Sequence, residues 1–162
     1  MPVPEFVLRL RERVGHELLP MAGATGVVRD PQGRILLGLR ADTGDWALPS
    51  GIIEPFEQPA HALAREIAEE TGVSVTVDAL VAVSATGEIT YPNGDRACYL
   101  DFTFTCTYLA GSARPLDGEN EQVGWFALDA LPQLRPSSAF RLDKALAYAG
   151  TTWFAPVTSN LP

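Results

Sequence analysis

Apolar residues recur every three to four positions in three stretches of the chain, and they alternate or run together in most of what lies between. Residues 4–15 set Phe6, Val7, Leu10 and Val14 on one side of a helix, with Glu5, Arg9 and Arg13 on others and Gly15 placed to end it. Residues 59–71 put Ala60, Leu63, Ala64, Ile67 and Thr71 at the i, i+3, i+4, i+7 spacing of a buried helical face. Pro59 suits the first helical position, and Gly72 suits a left-handed C-terminal cap. Residues 138–149 predict a third helix, with Phe140, Leu142, Ala145, Leu146 and Ala149 available for burial and Gly150 after it.

Strands are predicted between these helices. Residues 22–30 and 34–40 flank the turn Pro31-Gln32-Gly33 and read as a hairpin. Residues 75–90 and 97–109 flank Tyr91-Pro92-Asn93-Gly94-Asp95, whose Asn-Gly pair is a strong hairpin signal. A polar loop over 111–120 leads to a strand over 121–128 and a short turn at Asp129-Ala130-Leu131-Pro132. In the tail only Trp153-Phe154 offers anything to pack or to meet a partner.

With 162 residues and 46% hydrophobic content, the chain suits one domain with a sizeable core. Twenty acidic residues against 12 basic give a net charge of −8. That balance argues against a nucleic acid polymer or an acidic membrane surface as partner, so a phosphate ligand must bring a cation. Neither a signal peptide nor an apolar run long enough to span a bilayer is apparent, so a cytoplasmic location is expected. Cys98 and Cys106 fall in one predicted strand, about 26 Å apart at the rise of an extended chain, and cannot pair. His16 and His61 have no partner at ligand spacing and read as surface or packing residues.

The candidate chemistry lies in residues 51–73. Advancing about 100° per residue, Glu66, Glu69 and Glu70 emerge together on a stripe beside the buried face of the second helix. Glu66 and Glu70 are a like-charge pair at i, i+4, which destabilises a helix. Arg65, reaching Glu69 from one side, is the nearby cation, so the arrangement lacks positive charge. Oxygen ligands without Cys or His suit Mg²⁺ or Mn²⁺ rather than zinc. Mg²⁺ held by carboxylates keeps positions for phosphate oxygens, so a phosphate ester or anhydride is the natural substrate. A serine-hydrolase reading fails, because Leu48-Pro49-Ser50-Gly51 lacks the glycine two before the serine and no histidine is placed to activate it.

Gly51, Glu57 and the run Arg65-Glu66-Ile67-Ala68-Glu69-Glu70-Thr71-Gly72-Val73 fill every specified position of G-x5-E-x7-R-E-U-x-E-E-x-G-U, where U is aliphatic. The stretch resembles the Nudix box, and the layout around it is Nudix-like over roughly residues 20–150. Ser50 departs from the second glycine that many members carry there. The resemblance implies an α/β fold, a mixed β-sheet sandwiched between helices in an α/β/α arrangement, with an extra N-terminal helix. It implies a helical extension over 1–20, a hydrolase domain over 21–150 and a tail over 151–162. The extra helix covers a sheet edge, borders the substrate or permits a homodimer.

The same resemblance implies a Mg²⁺-dependent hydrolase, with Mn²⁺ as a substitute, that cleaves the pyrophosphate linkage of a nucleoside diphosphate derivative. Nucleoside triphosphates, ADP-ribose and other such compounds stay open as substrates. Glu66, Glu69 and Glu70 are the expected ligands, supported by Glu57 and by backbone carbonyls at Gly51 and Ser50. Arg65 is expected to orient the glutamates. The general base is Glu66, or Glu119 or Glu121 on the loop before the strand that ends in Trp125-Phe126, with Glu119 preferred over Glu121. Arg40, Trp46, Tyr91 and Glu121 are candidates for substrate contact, and Phe56, Tyr99 and Trp125 for selectivity. The competing reading is a catalytically silent Nudix-like module that binds a nucleotide and signals; the filled box speaks against it.

Overall fold

The computed structural model describes residues 3–157 and is built on one mixed sheet. The strands are β1 (Leu19–Arg29), β2 (Ile35–Arg40), β3 (Trp46–Ala47), β4 (Ser50–Ile52), β5 (Val73–Ala85), β6 (Ile89–Thr90), β7 (Arg96–Gly111), β8 (Asn120–Phe126) and β9 (Trp153–Phe154). The helices are α1 (Glu5–Val14), α2 (Pro59–Thr71) and α3 (Pro136–Leu146). β1 is the spine. It runs parallel to β7 from Leu19↔Ala97 to Arg29↔Thr107 and antiparallel to β4 through Gly23↔Ile52, Ala24↔Gly51 and Thr25↔Ser50.

Side chains alternate across β1, as a pleated strand requires. Ala24 and Val28 pack with Leu63 and Ile67 of α2, whereas Val27 packs with Leu142 and Ala145 of α3. The sheet therefore lies between two helices, the α/β/α arrangement expected. Gly26 lets α2 approach closely, since a Cβ there would lie 2.9 Å from Ile67 Cδ1. Gly72 caps α2 at φ 69°, the left-handed conformation expected of it.

Several expectations need correction. β1 and β2 are joined by a tight turn but pair only at Arg29↔Ile35. Beyond it β2 turns to β8, from Ile35↔Phe126 to Arg40↔Asn120, and β1 turns to β4 and β7. The predicted hairpin is thus splayed, because each strand finds a longer partner elsewhere. In α1, Val7 is buried against Met21 and Ala97, but Leu10 and Val14 are exposed. Arg11 takes the inner position instead, donating to the carbonyls of Gly15, Glu17 and Arg96. α3 starts at Pro136 and ends at Leu146, so Ala149 lies beyond it, and Leu146 is exposed. Proline at its start and the Leu142–Ala145 seam set these limits. Trp153 and Phe154 add a parallel edge strand to β5. Residues 158–162 of the predicted tail lie outside the described residues.

Cys98 and Cys106 are free, and burial pushes the Cys106 thiol up to about 12. His61 is exposed, and His16 Nδ1 lies 2.8 Å from Asp95. Among the described residues, no helix is long and apolar enough to cross a membrane.

Candidate active site

The site forms where β4 delivers the chain to α2. Gly51 sits on β4 against Ala24, and a Cβ at 51 would overlap the carboxyl group of Glu66. The helix therefore presses Glu66 onto bare backbone, and glycine is required there by space. Glu66 is 0% exposed and Glu70 is 3% exposed. This corrects the expectation that Glu70 lies off the buried face. The inner face of α2 includes Ala62, Leu63, Glu66, Ile67, Glu70 and Thr71, so two carboxylates share the hydrophobic seam. Glu69 remains outside, with its side chain 49% exposed.

Arg65 gathers three of the predicted glutamates. Its Nε and Nη2 donate to the two oxygens of Glu57 at 2.9 and 2.8 Å. Its Nη1 donates to Glu66 Oε1 at 3.0 Å and to Glu69 Oε2 at 3.2 Å. The bidentate bond to Arg65 outweighs burial and holds the Glu57 carboxyl below its usual range. Burial has the opposite effect on Glu66, pushing its carboxyl up to about 7 against the pull of Arg65. Glu66 Oε2 is buried and makes no hydrogen bond among the described residues.

Glu70 belongs to a second group. Its carboxylate oxygens lie within 4.8 Å of those of Asp117 and Glu119. Burial, Glu66 and Asp117 together push Glu70 up to about 8, while Arg40 and the Ser50 backbone amide pull it down. A cavity of about 10 Å³, lined by Gly38, Arg40, Leu48, Ser50, Glu70 and Asn120 among others, lies beside Glu70. Glu119 accepts from Arg40 Nη1 at 2.7 Å, and Asp42 accepts from Arg40 Nε and Nη2 at 3.1 and 3.0 Å. Burial lowers the Arg40 pKa, but Asp42, with Glu70 and Asp117, outweighs it and raises it.

Asp117 is absent from the candidates read in the sequence. Its signal is local: Asp117-Gly118-Glu119 is a tight turn in which Asp117 Oδ1 accepts from the Glu119 amide at 3.0 Å. Glu121, two residues after Glu119, is exposed on β8 and outside the Glu70 cluster. Trp46 packs edge-on against Phe126 at 4.7 Å, within the cluster under α3. Tyr91 lies at the β6–β7 connection with its hydroxyl 2.6 Å from that of Tyr99. Neither Trp46 nor Tyr91 is among the groups gathered about Arg65 or Glu70. Trp125 stacks edge-on with Tyr108 at 5.6 Å.

A loop-and-helix unit carrying buried carboxylates on a splayed mixed sheet defines a class before it defines a member. A sequence profile of the NUDIX domain matches residues 19–148, and the chain belongs to the Nudix family, whose hydrolases act on pyrophosphate bonds. Within that family it is a MutT-like member. It is 36% identical to a MutT-like protein of Streptomyces ambofaciens over 82% of this chain and 80% of that protein. It is 31% identical to the NAD-capped RNA hydrolase NudC of Deinococcus radiodurans over 89% of this chain, spanning about half (49%) of that protein. The crystal structure of a MutT NUDIX hydrolase from Burkholderia pseudomallei superposes with a TM-score of 0.64 at 31% identity, covering 77% of this chain and 97% of that one.

Proposed function

We propose that this chain hydrolyses the pyrophosphate linkage of a nucleoside diphosphate derivative, with water attacking one phosphorus in line with the departing phosphate. The observation that carries the reading is Glu66: seated on Gly51, held by Arg65 through one oxygen, and buried with its other oxygen unbonded. A buried carboxylate oxygen without a donor is costly, and a hard cation is the partner that an all-oxygen donor set suits. Mg²⁺ or Mn²⁺ would be held by Glu66, Glu69 and Glu70, with Glu57 and the Gly51 and Ser50 carbonyls in support and Asp117 beside Glu70. When bound, it would neutralise the diphosphate oxygens and acidify a coordinated water.

The chain's own groups do the rest. Arg65 fixes the directions of Glu57, Glu66 and Glu69, a positioning role. Glu66 has one oxygen on Arg65 and the other assigned to the cation, which leaves none for the attacking water. Glu119, oriented by Arg40 at 2.7 Å and beside Glu70, is assigned as the general base. The products are two phosphate monoesters, or a nucleoside monophosphate and pyrophosphate from a triphosphate. The catalytic unit is assigned to residues 21–150, and the free thiols agree with action in the cytoplasm.

Phosphate release through a coupled phosphatase tests this, using nucleoside triphosphates, ADP-ribose, sugar nucleotides and dinucleoside polyphosphates with Mg²⁺, with Mn²⁺ and with chelator. Turnover of one class that chelator abolishes is expected, with Glu119→Gln losing about 10²–10⁴-fold in kcat. Folded protein that binds the metal but turns over none of the panel would favour the silent nucleotide-binding module instead.

A further inference from the structure

Beside the carboxylates of the proposed site lies a buried amide that the chemistry above does not use. Asn120, the first residue of β8, is 6% exposed. Among the described residues its side-chain amide makes no hydrogen bond. Buried polar groups find a partner in protein or in ordered water, so this one needs a reason.

The pairing of β2 with β8 turns Asn120 inward. Leu39 pairs with Gln122 and Arg40 with Asn120, so Glu121 is an extra residue, a bulge of the kind that re-aims a side chain beside a site. The alternation of β8 breaks at that point, with Asn120 buried and both Glu121 and Gln122 exposed. Gly38 of β2 faces the amide, and a Cβ there would lie 2.4 Å from Asn120 Oδ1 and 2.7 Å from its Cγ. The amide therefore rests on bare backbone, as Glu66 does on Gly51.

Asn120 opens on the cavity of about 10 Å³ that Glu70, Ser50 and Arg40 also line. That volume is about the room that one water needs, and a buried water takes about two to four polar partners. The amide of Asn120 offers two donors and an acceptor, and the Glu70 carboxyl, which accepts from the Ser50 amide, stands in the same wall. A phosphate is too large for this space, so Asn120 serves the site from behind Glu70 rather than by touching substrate.

We infer that Asn120 is a positioning residue for Glu70, fixing the direction of its carboxylate through one water in this cavity and so setting the affinity of the site for its divalent cation. The water accepts from Asn120 Nδ2 and donates to the ionised Glu70, whose remaining lone pairs are left for the cation. The inference rests on the assignment of Glu70 as a ligand and deepens it by naming what aims it.

The test titrates Mn²⁺ into the full chain, reading free Mn²⁺ by electron paramagnetic resonance, for wild type, Asn120→Leu, Asn120→Ser and Gly38→Ala. Asn120→Leu keeps the shape without the amide and should weaken Mn²⁺ binding about tenfold or more. Its melting temperature in chelator should not fall, since an apolar group of similar shape replaces an unpaired amide. Asn120→Ser keeps a hydroxyl and adds room for a second water, and should stay within about threefold of wild type. Gly38→Ala pushes the amide off its seat and should weaken binding as Asn120→Leu does, so it carries the test where Asn120→Leu fails to fold. Unchanged Mn²⁺ affinity in Asn120→Leu or in Gly38→Ala overturns the inference, as does equal weakening in Asn120→Ser. Wild type that binds no Mn²⁺ counts against the cation reading, and the inference falls with it; wild-type binding that survives Asn120→Leu counts against Asn120 alone.

Discussion

Glu66 decides what residue 51 can be. Because a methyl group at 51 would occupy the space of the Glu66 carboxyl, Gly51→Ala should cost about 1–3 kcal/mol of stability, the usual range for overpacking. It should also lower turnover more than a surface change of equal ΔΔG, since the displaced group is the buried carboxylate. Urea denaturation and a kcat measurement on the same sample check both. Arg65 shows the same dependence on neighbours: lysine would keep the charge but lose the fork on Glu57. At Cys106, burial raises the thiol to about 12, so the thiolate is scarce at pH 8. Iodoacetamide under native conditions at pH 8 should modify Cys98 and leave Cys106 unmodified until denaturant is added. The motif spacing made Gly51 and Arg65 legible in the sequence. The reasons for them were not, because both depend on contacts between β4 and α2.

Two connections carry information at the scale of elements. Glu54 to Glu57 form a turn closed by the Glu57 amide on the Glu54 carbonyl at 3.1 Å, with Pro55 second and Phe56 third at φ 70°. That is the place where a type II turn favours glycine. Phe56 is 105% exposed, so packing does not compensate. A left-handed residue costs about 1–2 kcal/mol, and glycine returns about 0.5–1 kcal/mol of that as unfolded-state entropy. Phe56→Gly should therefore stabilise the protein by about 0.5–1 kcal/mol in a urea melt; a loss of stability would mean that the ring is held by something other than its turn. In the β1–β2 connection, Asp30 is buried, which raises its pKa, but Arg34 and the amides of Arg34 and Gln32 outweigh this and hold it below the usual range. A depressed carboxyl contributes stability that is present above its unfolded value near 4 and lost as pH falls through the folded value. Asp30→Asn should be less stable than wild type at pH 7, with the gap closing below about pH 4. The turn at Pro31-Gln32-Gly33 was readable locally, whereas the left-handed Phe56 and the splaying of β1 from β2 were not.

For the molecule as a whole, carboxylates are built into the seam between α2 and the sheet, where burial raises the pKa of both Glu66 and Glu70 and Glu66 raises that of Glu70 further. Metal binding should then appear as global stability. At a hundredfold excess over its dissociation constant, Mg²⁺ should add about 2.7 kcal/mol. Glu70→Gln should lose most of that increment while remaining about as stable as wild type in chelator, since burial already holds the metal-free Glu70 carboxyl largely protonated at pH 7 and glutamine replaces it without a charge. Thermal melts of both proteins with and without Mg²⁺ check this, and an unchanged increment in Glu70→Gln would remove Glu70 from the ligand set.

Helix α2, its caps, its acidic stripe and the family were determined by the sequence alone, because a helix is specified by residues within a turn or two and the box is contiguous. Only the tertiary structure decided that β2 pairs with β8, that Glu70 is buried and joined by Asp117 and Glu119, and that Asn120 is turned onto Gly38 in the wall that it shares with Glu70. Each of these joins residues 40 or more positions apart, or turns on what a helix is pressed against. No local spacing encodes such a meeting; it follows from which strand partners bury most surface and satisfy most backbone groups once the whole chain has closed.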